Sequence, residues 1–490
     1  ISSVPWRVYP NKPSANDSGL ELYNANPSYQ FGEYSFNHVL LDFQPDIVID
    51  IRDWWMFEYQ QRSPFRDFFN WSIMPTVDAE PQDTQWINTF SSADAVFAYS
   101  EFGRDTMLKQ SDSIKFVDIA SPAASSSFYK VEDKKKHKEE MGVAPQAKII
   151  GTVMRNQRRK LYPDLFESFR KLLDETNDPN LFLYCHTYYP DIGWDIPKLL
   201  NQYNLANRVL FTYKCKTCNT ITVDFFQDAA KFCPKCSSIS SSLVGISNPI
   251  DENELAKVYN VFDIYVQYAN SEGFGMPQLE AAYCGLPVIS TYYSAMQSVI
   301  DNIGGFGVYP KAYSVECETG CRRAIPDNLA FVNFMKEFVN ADLEACGENI
   351  RQNAVNHYSW DKTADVWKSH IQSVEKVDPS KTWLSPIRIL QPSDQLPGTG
   401  DMRDKVNYIF NNVLYKPEWI GGYLWKRILR DCTFGYRCEN INKDFYFNES
   451  HIKSYSSNQP FSIDQAHKEM IHFRNQINEW EQMRSKKIGR

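Results

Sequence analysis

The chain has 490 residues, which gives room for two or three domains and excludes a fibre or a disordered tail. Hydrophobic residues make up 43% and charged residues 23%, as in globular proteins, and no apolar run is long enough to cross a membrane. The net charge of -8 excludes a face that is basic throughout, so any contact with nucleic acid is local. We expect a soluble, cytoplasmic protein whose first residue, Ile1, marks a processed or partial N-terminus.

Residues 1–145 have the pattern of an α/β domain. Short β-branched runs predict parallel strands at 47–51, 71–77 and 94–99. Polar residues follow these strands: Asp53, Asp78, Glu80 and Ser100. Since ligands bind at the carboxyl ends of parallel strands, these residues are candidates for one crevice. Helix capping or a loop salt bridge is the alternative role for Asp53 and Asp78.

A second doubly wound domain is predicted over residues 146–378. The charged segment 132–140 is interpreted as a solvated helix face or linker that precedes it. Strands are predicted at 148–154, 181–184 and 209–213, with an amphipathic helix after the first. Residues 379–490 form a C-terminal extension, and its last segment repeats apolar residues at helical spacing from Ile463 to Trp480. That helix packs on the body of the protein or binds a partner helix.

Four of the eleven cysteines have the spacing of a zinc ribbon. They form two Cys-x-x-Cys pairs, Cys215 with Cys218 and Cys233 with Cys236. Four thiolates complete a tetrahedral shell with no position for water, so the predicted Zn²⁺ is structural and the ribbon is an insertion over 213–243. Small core residues or redox pairs are the alternative. The remaining pairs lack a partner pair and are predicted free thiols: Cys317, Cys321, Cys432 and Cys438.

The ribbon also carries lysines that make it locally basic: Lys214, Lys216, Lys231 and Lys235. Zinc ribbons often bind nucleic acids or proteins. That the insertion does so as well is a hypothesis. Such an adaptor would give the chain a macromolecular partner.

The stretch 270–289 has the pattern of an anion site between two carboxylates. Gly273 and Gly275 allow a tight turn, and Pro277 suits the first turn of a helix whose amides would face an anion. Glu272 lies before that helix and Glu280 one turn inside it. Carboxylates accept hydrogen bonds from hydroxyl groups, so the layout favours a nucleotide sugar.

This stretch resembles the retaining glycosyltransferases of family four, which have the GT-B architecture. The likeness is to their Glu-x7-Glu motif, here Glu272 to Glu280 in EGFGMPQLEAAYCGLPVI. It extends to VMRNQRRK, to the predicted strand ends of the first domain and to HYSW at 357–360, and covers roughly residues 35–375. The resemblance implies two Rossmann-like domains facing a cleft, with the donor on the C-terminal domain.

The resemblance also implies roles for individual residues. Glu280 would hold the ribose hydroxyls and Glu272 the transferred sugar, while Arg155 and Lys160 would neutralise the leaving diphosphate. The donor-binding loop would comprise Gly273, Phe274, Gly275 and Met276. Transfer would proceed with retention, by front-face attack with the leaving phosphate as base, and without an obligatory catalytic metal.

Two departures from the family pattern affect these expectations. Asp78 stands where the family commonly offers a His to the sugar, which makes it a candidate catalytic residue with an altered sugar preference. No Gly-rich loop precedes Tyr29, so part of the acceptor domain is missing or remodelled.

Three hypotheses follow. The first is a transferase that moves a sugar from a nucleotide donor to an acceptor hydroxyl, and the second is such an enzyme acting on modified bases in DNA through the ribbon. The third is a zinc-ribbon binding module on an inactive transferase scaffold. The sequence leaves the donor, the acceptor and the oligomeric state open.

Overall fold

The computed structural model describes residues 31–32, 36–63 and 65–376. They belong to two compact units: one takes in the described residues up to 75 with 89–96 and 371–376, and the other takes in 76–88 and 97–370. The predicted domain boundary near residue 145 stays a prediction. The extension 379–490, its helix and the thiols of Cys432 and Cys438 lie outside the described residues.

The first unit is built on short parallel strands. Its elements are α1 (Phe36–Phe43), β1 (Ile47–Asp50), α2 (Trp54–Phe57), two 3-10 turns (Glu58–Arg62 and Arg66–Phe68) and β2 (Asn70–Ile73). Two further elements, α3 (Thr84–Ser92) and β3 (Ala95–Ala98), are divided between the units. Strand β1 pairs in parallel with β2, and Ser72 and Ile73 pair with Ala95 and Val96. Phe57, Phe65 and Trp71 are buried in its interior.

The second unit contains most of the described elements. The first part holds α4 (Glu101–Gln110), β4 (Phe116–Ile119), α5 (Lys134–Glu140), β5 (Lys148–Val153), α6 (Tyr162–Thr176), β6 (Leu181–His186), α7 (Ile196–Gln202) and β7 (Val209–Cys215). An insertion follows, with β8 (Ile221–Phe225), β9 (Lys231–Phe232) and β10 (Ile239–Leu243). The remainder holds α8 (Glu252–Tyr259), β11 (Ile264–Gln267), α9 (Met276–Tyr283), β12 (Val288–Thr291), α10 (Ala295–Ile303), β13 (Phe306–Val308), β14 (Ala312–Val315), β15 (Arg322–Ile325), α11 (Asn328–Phe338), α12 (Glu344–His357) and α13 (Trp360–Ser373), whose last three residues belong to the first unit.

The main sheet of this unit has the order β13-β12-β11-β5-β6-β7-β10-β9, with β8 also paired to β7. The chain runs outward from β5 to β7 and then returns to β11 on the other side of β5, and both neighbours of β5 are parallel to it. The strand order therefore reverses between β5 and β11. In open α/β sheets this switch point, at the carboxyl ends of the strands, is where ligands bind.

Burial explains why these segments form the sheet. Strands β11 and β12 are buried at every residue, as expected for central parallel strands covered on both faces. Helix α6 buries its apolar stripe, which includes Phe166, Phe169 and Leu172, against the sheet. The predicted strands and helix are confirmed, although β2 ends at Ile73, four residues earlier than predicted, just before Pro75, which has no amide hydrogen to pair.

The charged segment before the sheet is a helix, α5, but not wholly solvated. Lys138 is buried, and its Nζ donates to both carboxylate oxygens of Asp263 at 2.8 and 2.6 Å and to the Ala147 carbonyl at 2.7 Å. Lys134 donates to the Phe262 carbonyl. The prediction of a solvated lysine face is therefore wrong for Lys134 and Lys138.

No helix within residues 31–32, 36–63 and 65–376 has the length and apolar character that crossing a membrane requires.

Candidate active site

Two loops lie side by side at the switch point, one after β5 and one after β11. Lys160 forms an antiparallel bridge with Ala269. The Leu161 amide donates to the Tyr268 carbonyl at 3.1 Å, and the Asn270 amide donates to the Arg159 carbonyl at 3.0 Å. This pairing brings the cationic segment 155–160 against the loop that carries Glu272.

The carboxylate of Glu272 lies between two cations. Its Oε2 accepts a hydrogen bond from Arg159 Nη1 at 2.9 Å, and its Oε1 contacts the Lys160 ammonium. Gln267, the last residue of β11, donates to the same Oε1 at 3.2 Å. Because Glu272 and Lys160 are both buried, this carboxylate is held in one position by charge-assisted contacts.

The electrostatics of this cluster favour an anion. Burial, with a smaller contribution from the Arg159 cation, lowers the pKa of Lys160. While Lys160 is charged, two cations face one carboxylate and a positive charge is left over. The loops therefore form a cationic position at the ligand-binding edge of the sheet.

The loop after Glu272 requires glycine at two positions. Gly275 has φ 92° at the N-cap of α9, in the left-handed region that favours glycine. A Cβ on Gly273 would lie 2.3 Å from Thr76 Cγ2, so a side chain does not fit there. Pro277 follows in the first helical turn, as predicted. Side chains of Thr76 and Gln278 therefore fill the space beside these two glycines.

A buried acceptor lies beside this turn. Gln278 is fully buried, and its Nε2 donates to the Phe274 carbonyl at 3.3 Å. Its Oε1 has no hydrogen-bond partner among the described residues. A buried amide oxygen without a donor is costly, which favours a water or a ligand group at this position.

The second motif carboxylate, Glu280, has a different environment. Its Oε2 accepts a hydrogen bond of 2.6 Å from the hydroxyl of Tyr259, which is fully buried. Burial raises the pKa of Glu280 to about 7, and the Tyr259 hydrogen bond opposes this shift. Glu252 raises it slightly further. Glu280 therefore changes its charge near neutral pH, whereas two cations surround Glu272.

Arg155 is not part of the Glu272 cluster. Its guanidinium is half exposed and forms two hydrogen bonds with Asp191, from Nε at 2.9 Å and from Nη2 at 3.1 Å. Arg159, which the sequence analysis does not single out, lies beside Glu272 instead. Four cations lie within the six residues 155–160, and the resemblance alone selects Arg155 and Lys160 among them.

Asp78 forms a salt bridge with an arginine that the sequence did not single out. Its Oδ2 accepts from Arg323 Nη1 at 2.7 Å and from Ser271 Oγ at 3.3 Å, and Arg323 also contacts Glu316 at 2.8 Å. This is the loop salt bridge named above as the alternative role. Arg323 follows Asp78 by 245 residues, and no local pattern marks the pair.

The other predicted strand-end residues have structural partners. Ser100 caps α4 by accepting from the Gly103 amide at 3.3 Å, and Glu80 faces Lys109 at 3.5 Å. Asp53 precedes α2 in the first unit. The crevice predicted to contain all four residues stays a prediction.

The insertion brings the four predicted metal ligands together. Cys215 Sγ lies 3.6 Å from Cys236 Sγ, Cys218 Sγ lies 3.7 Å from Cys233 Sγ, and all four sulfurs are within 4.8 Å of one another. Sulfurs placed tetrahedrally about 2.3 Å from a zinc ion are about 3.8 Å apart. Hydroxyls of Ser240 and Ser238 lower the pKa of Cys215 to about 5, which favours the thiolate. The donor set therefore fits a tetrahedral soft metal ion.

The basic surface of the insertion is smaller than the sequence indicates. Lys214 forms a salt bridge of 2.8 Å with Glu254, and Lys231 forms one of 2.7 Å with Asp224. Lys216 and Lys235 are exposed. Half of the predicted cationic set is thus neutralised within the chain. The proposed contact of the insertion with nucleic acid stays a prediction.

Outside the insertion, Cys317 and Cys321 are free thiols, as predicted.

Comparison with known proteins finds a family model that matches the segment of this site. The family model of group 1 glycosyl transferases ("Glycosyl transferases group 1") matches residues 244–316, the stretch that contains β11, α9 and α10 with both motif glutamates. A search of curated proteins finds no match.

Several solved structures are similar to this chain to different degrees. Sucrose-phosphate synthase from Thermosynechococcus elongatus is similar with a TM-score of 0.52 and 18% identity, over 72% of this chain and 78% of that chain. A glycosyltransferase from Rickettsia africae gives a TM-score of 0.48 and 16% identity, over 74% and 84%. The Anabaena protein HepE, in complex with UDP and glucose, gives 0.45 and 12%, over 62% and 72%. The first likeness confirms the predicted α/β fold of GT-B type.

Proposed function

We propose that this protein is a retaining glycosyltransferase that moves a sugar from a nucleotide-sugar donor to an acceptor hydroxyl. The observation that carries the proposal is the buried Glu272 carboxylate held between Lys160 and Arg159 at the switch point of the sheet. It lies in the segment matched by the group 1 family model. A fixed carboxylate beside excess positive charge suits a ligand that combines hydroxyl groups with a diphosphate.

The cations act on the leaving group. Lys160 and Arg159 neutralise charge as it develops on the diphosphate, which lowers the barrier because the cations are already in place. Arg155, exposed and paired with Asp191, joins them by exchanging its carboxylate partner for a phosphate. The backbone from Gly273 to Met276 approaches the sugar and its phosphates.

The two glutamates hold hydroxyl groups on either side of the diphosphate. Glu272 accepts from the transferred sugar and Glu280 from the ribose. Tyr259 occupies one oxygen of Glu280 and leaves the other for the ligand. Asp78 stabilises the loop of Glu272, because its carboxylate accepts hydrogen bonds from Ser271 and from Arg323, which also donates to Ser271.

The lack of a free base at Glu272 supports transfer with retention. A carboxylate neutralised by two cations is a weak base and a weak nucleophile. The bond between the anomeric carbon and the phosphate oxygen breaks while the acceptor oxygen bonds to the same face, and the acceptor proton passes to the leaving diphosphate.

The four cysteines of the insertion hold a structural Zn²⁺. A closed shell of four thiolates stabilises the short strands β8 to β10 and offers no open position to water or substrate. The zinc has no part in the transfer.

Release of nucleoside diphosphate tests the proposal. The full chain is incubated with UDP-, ADP- and GDP-linked sugars, and the freed nucleoside diphosphate is measured with and without pooled saccharide acceptors. We expect release from at least one donor and its loss in Glu272→Gln, whereas Glu337→Gln, an exposed change on α11, keeps the wild-type rate. Absence of release from every donor, or equal release by Glu272→Gln, would contradict the proposal. For retention, proton NMR during the first turnovers is expected to show the anomeric configuration of the donor.

A further inference from the structure

Ser294, at the start of α10, has a backbone conformation that is unusual for a residue with a side chain. Its φ is 56° and its ψ is -153°, near a region that only glycine adopts without strain. The residue is fully buried. Strain of this kind persists where the surrounding structure requires it, and it is frequent at functional sites.

The hydroxyl of Ser294 does not cap α10, although Ser294 occupies the N-cap position of that helix. Serine is among the best N-cap residues, because its Oγ accepts a hydrogen bond from an amide of the first turn. Here the side chain makes no such bond to α10. Its Oγ instead accepts a hydrogen bond of 2.9 Å from the backbone amide of Glu272. Helix α10 therefore has no side-chain cap, and the Ser294 hydroxyl binds the Glu272 amide instead.

The next residue completes the contact. The Ala295 amide donates to the Glu272 carbonyl at 3.3 Å, so both backbone polar groups of Glu272 bind this turn. Its side chain is held by Lys160 and Arg159. The loop of Glu272 is therefore fixed by its main chain as well as its carboxylate.

From these contacts we propose that Ser294 is a positioning residue that sets the place of the Glu272 carboxylate toward the transferred sugar, at the cost of backbone strain. The role of Glu272 in this inference rests on the proposed function. The hydroxyl fixes the position of Glu272, whereas the presence of a Cβ at residue 294 causes the backbone strain. Substitution can therefore separate the two effects.

Two variants make that separation. Ser294→Ala removes the hydroxyl and keeps a Cβ in the strained conformation, whereas Ser294→Gly removes the hydroxyl and relieves the strain. Both leave the Glu272 amide unpaired. We therefore expect both to lower kcat for donor turnover by about 10-fold, with KM changed less than about 3-fold, because a misplaced group affects the transition state more than binding.

Thermal stability distinguishes the two variants. In ordinary backbone conformations alanine is more stable than glycine. At Ser294 we expect the reverse, with the melting midpoint of Ser294→Gly above that of Ser294→Ala by about 2 °C or more. Ser298 is the matched control: it lies one turn later in α10, is also buried, and its Oγ accepts from the Phe102 amide at 3.0 Å. There Ser298→Ala should be more stable than Ser298→Gly.

Hydrogen exchange in the free protein tests the contact without a donor. Faster exchange in the peptide containing Glu272 is expected in both Ser294 variants and in neither Ser298 variant. Wild-type turnover in the Ser294 variants, unchanged exchange, or the ordinary stability order at position 294 would each overturn the inference. A wild-type protein that turns over no donor would refute the proposed function instead, while exchange and stability would still decide whether Ser294 holds Glu272.

Discussion

The site at the switch point and the four-cysteine insertion are built in opposite ways. The insertion gathers its four sulfurs from 22 consecutive residues, Cys215 to Cys236, through short turns. The switch-point site joins side chains from distant parts of the chain, such as Lys160, Glu272 and Ser294. A local ligand set can therefore be recognised from its spacing in the sequence, whereas the distant set depends on the sheet that brings its members together.

The largest effect is expected from Glu272→Gln. The change removes the carboxylate that pairs with buried Lys160, so we expect a loss of donor turnover of about 100-fold or more. It should also lower the free energy of unfolding by about 3 kcal/mol, since one partner of a buried ion pair is left without its counter-charge. Steady-state kinetics and urea denaturation measure the two effects. Turnover by Glu272→Gln within a few-fold of the wild-type rate would contradict the role of Glu272 in the proposed site.

Removal of the metal should affect the insertion and spare the donor site. We expect one zinc per chain by elemental analysis, and Cys218→Ser or a strong chelator should release it. The segment between β7 and β10 should then become sensitive to protease, while donor turnover falls less than about 3-fold because no cysteine contacts the Glu272 cluster in the described residues. Ser237→Ala, an exposed change within the insertion, should retain the metal. A chain that binds no zinc, or that loses all donor turnover when its zinc is removed, would contradict the separation of the two regions.

A smaller effect is expected from Tyr259→Phe. Loss of the 2.6 Å hydrogen bond frees the Glu280 carboxylate to rotate, so the donor KM should rise about 3- to 10-fold with little change in kcat. Tyr213→Phe is the control, because Tyr213 is also buried and its hydroxyl bonds only the backbone of the insertion in the described contacts. Equal KM values for the two variants would show that Tyr259 does not orient Glu280.

The smallest effect is the pH dependence that Glu280 confers. Burial raises its pKa from 4.5 to about 7, so its stabilising contribution is complete below pH 4.5 and is lost as pH rises through about 7. Wild type should therefore lose stability relative to Glu280→Gln over that interval. The groups near this carboxylate are Tyr259, Tyr265, Cys284 and Glu252. Ionised Glu280 accepts hydrogen bonds, so donor KM should fall about 2-fold as pH rises from 6 to 8. A KM profile that Glu280→Gln leaves unchanged would exclude this role.

The same contrast explains what the sequence could predict. Doubled Cys-x-x-Cys spacing, the glycine turn before α9 and the strands of the main sheet are local patterns, and the structure has each of them. Arg159 escaped prediction because four cations share one short segment and only the pairing with Ala269 and Asn270 selects among them.

Long-range partners left no signal in the sequence at all. Arg323 meets Asp78 across 245 residues, and Ser294 meets the Glu272 amide only because β11 and β12 lie side by side. A serine at a helix start predicts a cap, and the observed bond to another loop depends on tertiary packing.

A crystal structure of the full chain with the nucleoside diphosphate that its preferred donor releases tests the proposed donor site most directly. We predict diphosphate oxygens within about 3.2 Å of Lys160 Nζ and of the Met276 amide, with the ribose hydroxyls on Glu280. A nucleotide bound away from the loops that follow β5 and β11 would contradict the proposed donor site.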